Sequence, residues 1–373
     1  RGADLFGYFV SGKHKEYHTN QFAGAVTLSG LTATGGIISD YTSGSDVYRA
    51  HVFTSSGAFN VTALGDFGDT VDYLVVAGGG GGGARGGGGG AGGLRATTDQ
   101  TGGGGSLESS VPVAVASYNV VIGGGGGASY QTSAKGNDGV DSSLAYNGGT
   151  ITSTGGGGGG SDQTQAGAPG GSGGGGSNSG AKGDGTTNQG YDGSPASGDS
   201  NGGGGGAGAT ANPGMNGGAG VQVAIAGPAA DTTGVGGPNP STGQYQWFAG
   251  GGGGGHGMGG TPGTGGVGGG GAGVTAIPDG PGIAGTPGTG GGGGGGGSEG
   301  ASTGYAANTG GNGGSGVVVV RYQIAQITAS AKASGGTVSF FGGKTIHSFV
   351  GSGDFDNTSG GNLSCDVVMI GGG

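Results

Sequence analysis

The chain has 373 residues, of which 118 are glycine, and it carries a formal net charge of −10. Because only 31% of its residues are hydrophobic, a conventional apolar core can only be small and local. Lys and Arg are too scarce to form the cationic surface that nucleic acid needs, and no apolar stretch approaches the roughly 20 residues that insertion into a membrane requires.

The order of apolar and glycine-rich stretches divides the chain into successive segments. We expect an N-terminal segment or the end of a preceding module at 1–36, a β-rich preamble at 37–77, a glycine-rich body at 78–316, a closing strand at 317–325 and the β-rich start of a second, truncated module at 326–373. Neither end has the features of a natural terminus, so we expect a window of a longer polypeptide or a processed chain.

Short strands are predicted inside the glycine-rich body. Val111–Val115 and Tyr118–Ile122 are rich in β-branched and aromatic residues, as strands are, and they are close enough to form a hairpin near 111–122. Segments 134–140 and 186–193 are rich in turn-forming residues, such as the Asn-Asp-Gly of the first, so they are expected to be connecting loops. No segment has a convincing 3.6-residue period, so we expect almost no α-helix.

The glycine-rich body contains unbroken runs such as Gly78–Gly83 and Gly155–Gly160. Such runs have no side chains to bury, so they form either a disordered linker or a lattice in which neighbouring segments satisfy each other's backbone groups. We expect the lattice, because polyproline-II-type helices of glycine (polyglycine II) can lie side by side and bond in several directions. Collagen is excluded, since it needs glycine strictly at every third position. The predicted fold is therefore a bundle of polyglycine-II helices with a small antiparallel β-sheet or sandwich region.

One motif occurs twice and indicates an internal repeat. The pattern H-x-F-x-x-S-G-x-F contains His51, Phe53 and Phe59 in the first copy and His347, Phe349 and Phe355 in the second. A Gly-Gly pair precedes each copy, and each is followed by an Asp and four apolar or aromatic residues, beginning at Asp72 and at Asp366. The shared order predicts that 326–373 opens a second module and that the His and Phe residues are structural.

Three segments carry a resemblance to a known family: Asp72–Gly80, Ser117–Gly124 and Gly314–Tyr322. They resemble the glycine-rich domains of bacteriophage tail fibres and tail proteins, in which a strand-rich preamble precedes the glycine body. The resemblance covers about residues 30–325 and again 326–373. More loosely, the chain is similar to the tip adhesins of T-even-like phages, which stack polyglycine-II helices and present variable loops to host receptors. A tandem copy departs from the tip adhesins and fits a shaft or filament better.

No set of side chains with catalytic spacing stands out, so neither an enzyme activity nor a cofactor is expected. Gly-x-Gly-x-x-Gly recurs, but a dinucleotide site needs it between a strand and a helix. Asp66, Asp69 and Asp72 offer oxygen ligands that calcium could use, yet solvated turn carboxylates are favoured and no metal site is predicted. The single cysteine, Cys365, aligns with Val71, so it is expected to be a small buried residue.

The aromatic loop that contains Tyr245, Trp247 and Phe248 is the strongest functional candidate, because it holds the only tryptophan. Tyr and Trp are favoured at recognition surfaces, but the rings could equally pack over the edge of the lattice or against a neighbouring module. His256, expected at the end of a glycine run, is a candidate for contact with a ligand. Tyr130 and Tyr191 are candidates for either role.

These observations favour a non-enzymatic structural protein of an extracellular or virion fibre. Its tandem modules are expected to assemble head-to-tail through 326–373 by strand addition, since head-to-tail contacts give open filaments. The alternative is a phage tail-fibre adhesin whose loops between the runs bind a bacterial surface protein or glycan. Ice binding is a weaker third option, because an ordered ladder of threonines is absent from the sequence.

Overall fold

The computed structural model describes residues 28–163, 166–211, 214–230, 232, 234–257, 260–275, 281–297, 309–326, 332–341 and 344–371. The strands are β1 (Thr32–Thr34), β2 (Ile37–Ser43), β3 (Asp46–Phe53), β4 (Gly57–Ala63), β5 (Thr70–Val76), β6 (Leu94–Ala96), β7 (Val111–Pro112), β8 (Ser117–Val121), β9 (Ser142–Tyr146), β10 (Gly149–Ser153), β11 (Val221–Gln222), β12 (Trp247–Phe248), β13 (Val317–Gln326), β14 (Ala333–Ser334), β15 (Thr337–Phe341), β16 (Lys344–Ser348) and β17 (Asp356–Asn357). Over these ranges the only helical element is one 3-10 turn, Gly102–Gly104, which confirms the prediction of almost no α-helix.

Two antiparallel sheets face each other at one end of the glycine lattice. The larger has the strand order β2-β3-β13-β5-β6, with β7 also paired to β5, and the smaller has the order β1-β4-β8-β9-β10. The closing strand β13 lies in the middle of the larger sheet, antiparallel to both β3 and β5. The predicted small antiparallel sheet region is therefore confirmed, and its central strand comes from the end of the module.

Both faces of the larger sheet are buried, which explains the unbroken apolar run at the start of β13. Because side chains alternate across a strand, Val318 and Val320 enter a first apolar cluster between the two sheets. Val317 and Val319 enter a second apolar cluster on the opposite face, where the sheet covers the glycine lattice. Strands buried on both faces read as continuous apolar runs.

The strand pairing corrects two sequence-based predictions. β1 pairs with β4 of the smaller sheet, so the boundary predicted at residue 36 lies too late; the first 27 residues of that N-terminal segment lie outside the described residues. The hairpin predicted near 111–122 is wrong, because β7 pairs with β5 whereas β8 pairs with β4 and β9. The side chains of Val111 and Tyr118 pack in the same apolar cluster, although their strands belong to different sheets. Both segments therefore have the apolar pattern of paired strands without being paired.

The run Gly78–Gly83 shows how the glycine body is held together. Its N–H groups donate to three neighbouring segments in turn, and the same neighbour recurs at every third residue. The bonds measure 2.8–3.0 Å and run from Gly78 and Gly81 to Val140 and Asn137, from Gly79 and Gly82 to Gly314 and Gly311, and from Gly80 and Gly83 to Gly90 and Gly87. A period of three residues is that of polyproline II, so the run is a polyglycine-II helix.

The carbonyl groups of the same run accept hydrogen bonds from three further segments. The donors are Gly156 and Gly159, Gly126 and Ser129, and Gly293 and Gly296, again at intervals of three residues. The segments that receive its N–H bonds run antiparallel to Gly78–Gly83, and those that donate to it run parallel. Six segments thus surround one run, and its backbone groups are paired without any apolar side chain, as buried backbone requires.

Packing, rather than an unusual backbone angle, requires glycine in this run. None of Gly78–Gly83 has a positive φ, yet a Cβ added at Gly81 would overlap the carbonyl of Gly127. Ala91 is tolerated in the next run because it lies in the second apolar cluster, under the sheet. Gly124 faces open space, with nothing within 4 Å of an added Cβ.

Segments expected to be loops contribute further helices to the lattice. Residues 136–140 donate hydrogen bonds with a period of three, from Gly136 and Gly139 to Gly159 and Gly156, and from Asn137 and Val140 to Gly127 and Gly124. Residues 191–194 do the same, with bonds from Tyr191 to Gly206 and from Ser194 to Gly203. The prediction of loops at 134–140 and 186–193 is therefore wrong for these residues, because a helix at the rim of the lattice can carry outward side chains between its glycines.

Candidate functional site

The aromatic loop is anchored to the lattice by a short two-stranded ladder. β12 pairs with β11, so Phe248 lies opposite Val221 and Trp247 lies opposite Gln222. Gln246, just before β12, is fully buried. Its side chain accepts a hydrogen bond from the N–H of Ala226 at 2.8 Å and donates one to a neighbouring carbonyl at 2.7 Å. These bonds fix the backbone of the loop before any partner binds.

Phe248 does not belong to a contact surface. Its side chain is fully buried in the second apolar cluster, with Leu74, Val319 and Ile225. Neighbouring residues of a strand point to opposite sides, and Phe248 is the one that points under the larger sheet. The prediction that Phe248 takes part in recognition is therefore corrected: its role is to attach the loop to the sheet.

Trp247 and Tyr245 remain half-exposed at the surface. The Nε1 atom of Trp247 is buried without a hydrogen-bond partner among the described residues. Beside the ring, the amide of Gln222 donates to the carbonyl of Tyr245 at 3.0 Å and to the side-chain oxygen of Gln244 at 3.3 Å. The arrangement presents aromatic surface next to side-chain amides, which suits contact with a polar partner.

The other recognition candidates do not gather around this loop. Next to His256, the N–H of Gly255 donates to Gly86. Next to Tyr130, the N–H of Ser129 donates to Gly82. His256 and Tyr130 therefore lie where the run Gly78–Gly83 ends, at the end of the lattice away from the sheets. Tyr130 is 68% exposed, whereas His256 is half-buried and its Nδ1 lies 2.7 Å from the carbonyl of the next residue.

Tyr191 lies on the sheet side of the lattice. It is half-buried, and its own N–H donates to Gly206 at 3.0 Å. Two residues earlier, Gln189 accepts a hydrogen bond from Leu94 of β6 at 3.0 Å. The structure thus separates the candidates into one group near the sheets and another at the far end.

The histidine of the first motif copy is a structural residue in the core of the module. His51 is fully buried; its Nδ1 lies 2.6 Å from the carbonyl of Gly35, and its Nε2 lies 2.9 Å from the hydroxyl of Tyr322. Phe59 meets the imidazole edge-on, with ring centroids 5.2 Å apart. Burial, together with the charge of Arg49, lowers the pKa of His51, so the neutral imidazole belongs to the folded state.

The second motif copy reproduces this geometry. The Nδ1 of His347 lies 2.7 Å from the carbonyl of Gly335, and Phe355 meets its ring edge-on at 5.1 Å. Phe349 packs against Gly335 and Gly336, as Phe53 packs against the corresponding glycines of the first copy. One expectation is corrected here: Cys365 is exposed, although its counterpart Val71 is 2% exposed.

A charged network on the closing strand was missed by sequence reasoning. The Arg321 guanidinium donates to the Asp72 carboxylate at 2.6 and 3.2 Å and lies 4.6 Å from the centre of the Tyr48 ring. It also donates to the hydroxyl of Tyr41 at 3.2 Å, which donates in turn to Ile225 of the lattice at 2.9 Å. The signal in the sequence was a lone Arg after four valines, together with the Asp that follows both motif copies, Asp72 and Asp366.

A second charged network lies at β6, an edge strand of the larger sheet. The guanidinium of Arg95 donates to both oxygens of Glu108, at 2.7 and 2.6 Å, and the hydroxyl of Tyr73 donates to the same carboxylate at 2.7 Å. Burial would raise the pKa of Glu108, but the bonds from Arg95 and Tyr73 outweigh it and lower that pKa. Burial and the neighbouring carboxylate raise the pKa of Tyr73, so its hydroxyl remains a donor.

Two of the three aspartates considered as calcium ligands have other partners. Asp66 accepts hydrogen bonds from the N–H and the hydroxyl of Ser29, at 2.7 and 3.1 Å, and Asp72 binds Arg321. Within the described ranges, no group of three His, Cys, Asp or Glu side chains is placed to hold a metal ion. Over the same residues, no helix has the length and hydropathy of a membrane span.

Comparison with known proteins bears on the module as a whole. No curated protein matches the chain. A family model described as a glycine-rich domain matches residues 54–323. The match runs from the end of β3 through the lattice to the closing strand β13, and it takes in more than half of the chain. The chain therefore belongs to the glycine-rich domain family.

Proposed function

We propose that the chain is a non-enzymatic structural protein of an extracellular or virion fibre, built from tandem glycine-rich modules. The observation that carries the proposal is the repeated geometry of the two motif copies. His347 relates to Gly335 and Phe355 as His51 relates to Gly35 and Phe59. A protein that begins the same module twice has the organisation of an array.

The connection between the two copies supports a continuous array. β13, the central strand of the larger sheet, ends at Gln326. The described part of the second copy begins at Lys332. A chain of this length extends by at most about 20 Å, so consecutive modules must lie close together. Contacts of this repeated, head-to-tail kind generate filaments when they do not close into a ring.

The test is to image the purified protein by electron microscopy, with and without residues 327–373. We expect filaments with an axial repeat of one module from the full chain and isolated particles from the shortened chain, because the second motif copy supplies the connection. Isolated particles from the full chain, or unchanged filaments from the shortened chain, would contradict the proposal.

An adhesin whose loops bind a bacterial surface protein or glycan is the second candidate, and the far end of the lattice favours it. There, Tyr130 is 68% exposed, and Asn178 is exposed in a turn where its φ is positive. An adhesin would appear as single copies at a fibre tip and would bind bacterial cells. Tyr130→Ala would then reduce cell binding and leave assembly unchanged.

A further inference from the structure

We propose that residues 332–371 form an acceptor for one β-strand, which inserts between β16 and the segment Asp366–Ile370. The occupant has the sequence pattern of β13: four β-branched apolar residues, one variable residue and a tyrosine. This inference rests on the proposed modular function and defines the contact that completes each module. The strands of the second motif copy correspond one by one to strands of the first.

The second copy reproduces the pairing of the first around a common frame. β15 pairs with β16 as β2 pairs with β3, so Val338 lies opposite His347 as Ile38 lies opposite His51. β14 pairs with β17 as β1 pairs with β4. The Gly-Gly turn also recurs: φ is 110° and 65° at Gly35 and Gly36, and 108° and 64° at Gly335 and Gly336.

Among the described residues, one position of this frame has no strand in the second copy. In the first copy β13 lies between β3 and β5 and pairs with both. Their counterparts are β16, which pairs only with β15, and Asp366–Ile370, which has no backbone hydrogen bond among the described residues. The position between them, which β13 fills in the first copy, has no strand in the described part of the chain.

The side chains beside this position are those of a buried strand. Val368, Met369 and Ile370 are 87%, 90% and 92% exposed, whereas their counterparts in β5 are fully buried, at 0% each. A row of exposed apolar residues with free N–H and C=O groups is a template for strand addition. Cys365 is also exposed, whereas its counterpart Val71 is buried and pairs with Val111 of β7; no counterpart of β7 lies among the described residues of the second copy.

His347 specifies the tyrosine of the occupant. Its Nδ1 faces a carbonyl, which only accepts, so Nδ1 is the donor, and in the tautomer with that proton Nε2 is an acceptor. In the first copy the equivalent Nε2 receives the hydroxyl of Tyr322 at 2.9 Å. Among the described residues, the Nε2 of His347 has no such donor, and a tyrosine two residues after the last apolar position of an inserted strand would supply it.

The residue between the apolar run and the tyrosine is variable for a physical reason. In the first copy Arg321 links Asp72 to Tyr48. The counterparts of those two residues are Asp366 and Lys344, and they bond each other directly at 2.6 Å. The same two positions are therefore linked without an arginine, so arginine is not required in the occupant.

The test uses the chain of residues 1–373 and a labelled peptide with the sequence of residues 315–326, flanked by lysines for solubility. We expect saturable binding by fluorescence anisotropy. Replacing two valines of the peptide with aspartate, at the positions of Val318 and Val320, should weaken binding at least 100-fold. Replacing its tyrosine with phenylalanine should weaken binding about tenfold, because the acceptor on His347 is left without a donor.

Variants of the chain locate the site. Val368→Lys should weaken peptide binding at least tenfold, whereas Val350→Lys should leave it unchanged, because Val350 is also exposed but lies outside the two segments. Hydrogen exchange should show slower exchange at residues 344–348 and 366–370 when the peptide binds. Exchange in β3 and β5 should not change, since β13 already lies between them.

Two results would overturn the acceptor: equal binding of the native and aspartate peptides, or protection of the exposed edge strand β2 instead of 344–348 and 366–370. These outcomes are independent of the fibre proposal. A chain that binds the peptide at the predicted segments but forms no filaments supports the acceptor and contradicts the fibre. A chain that forms filaments yet binds no peptide contradicts the acceptor alone.

Discussion

His51 and Tyr322 meet across 271 positions of sequence, with the histidine Nε2 2.9 Å from the tyrosine hydroxyl. The Nδ1 of the same ring lies 2.6 Å from the carbonyl of Gly35, so Nδ1 carries the proton and the tyrosine must donate to Nε2. Burial raises the pKa of Tyr322 to about 12, which keeps its hydroxyl protonated. The pair connects the opening hairpin of the module to its closing strand.

Tyr322→Phe should lower the free energy of unfolding by about 1–2 kcal/mol, because it leaves the buried Nε2 of His51 without a donor. Chemical denaturation monitored by circular dichroism would measure the change. Tyr130→Phe is the matched control: its ring is 68% exposed, so the same loss of a hydroxyl should change stability by less than about 0.5 kcal/mol. Equal effects of the two substitutions would show that the His51–Tyr322 bond contributes nothing.

The stability of the module should fall as the pH drops below the ordinary pKa of histidine. Burial lowers the pKa of His51 from 6.5, so below pH 6.5 the unfolded chain takes up a proton that the folded chain does not. The contribution of His51 is complete above pH 6.5 and declines, by at most about 1.4 kcal/mol per pH unit, until the pH reaches its pKa in the folded state.

His51→Gln separates this effect from the titration of carboxylates. Glutamine can keep hydrogen bonds in the same position but does not titrate, so the variant should lose less stability than the native protein between pH 7.5 and pH 5. Denaturation midpoints of both proteins at the two pH values give the comparison. Identical losses would mean that His51 is not the group that responds to pH.

Composition and the repeated motif were enough to predict a glycine lattice, its lack of α-helix and the structural role of His51. The partners of each run could not be predicted, because Gly78–Gly83 has no side chain that distinguishes one neighbour from another. Polar groups at the rim set the register instead. Asp138 and Asp141 accept hydrogen bonds from Gly158 and Gly155, each at 2.8 Å. Their spacing of three residues is a signal that the interpretation as a turn overlooked.

The candidate site was only partly predictable for a related reason. The sequence shows that Trp247 and Phe248 are adjacent and that neighbours in a strand face opposite ways. It does not show which of them faces the larger sheet, because that depends on the pairing of β12 with β11. The strand partners of Val111 and Tyr118 could not be predicted either, since both side chains pack in the same apolar cluster although their strands belong to different sheets.

Gly81→Ala should destabilise the module by about 3 kcal/mol or more, because the added Cβ would overlap the backbone at Gly127 and overpacked interiors cannot relax freely. Gly124→Ala is the control, since nothing lies within 4 Å of a Cβ at that position. It should be neutral or slightly stabilising, by less than about 1 kcal/mol, through the lower entropy of the unfolded chain. Thermal denaturation of the two variants would test the lattice, and equal melting temperatures would contradict it.

Trp247 and Phe248 should differ in what their loss affects. Phe248→Ala removes a fully buried ring and should lower the stability of the module by about 3–5 kcal/mol. Trp247 is half-exposed, so Trp247→Ala should leave the lattice folded, and it should weaken assembly or attachment by about 2 kcal/mol if the ring contacts a partner, as an interface hot spot does. Denaturation measures the first quantity, and the concentration dependence of filament formation or cell binding measures the second. If Trp247→Ala lowers stability as much as Phe248→Ala and leaves association unchanged, its ring only packs on its own module and the loop is not a recognition surface.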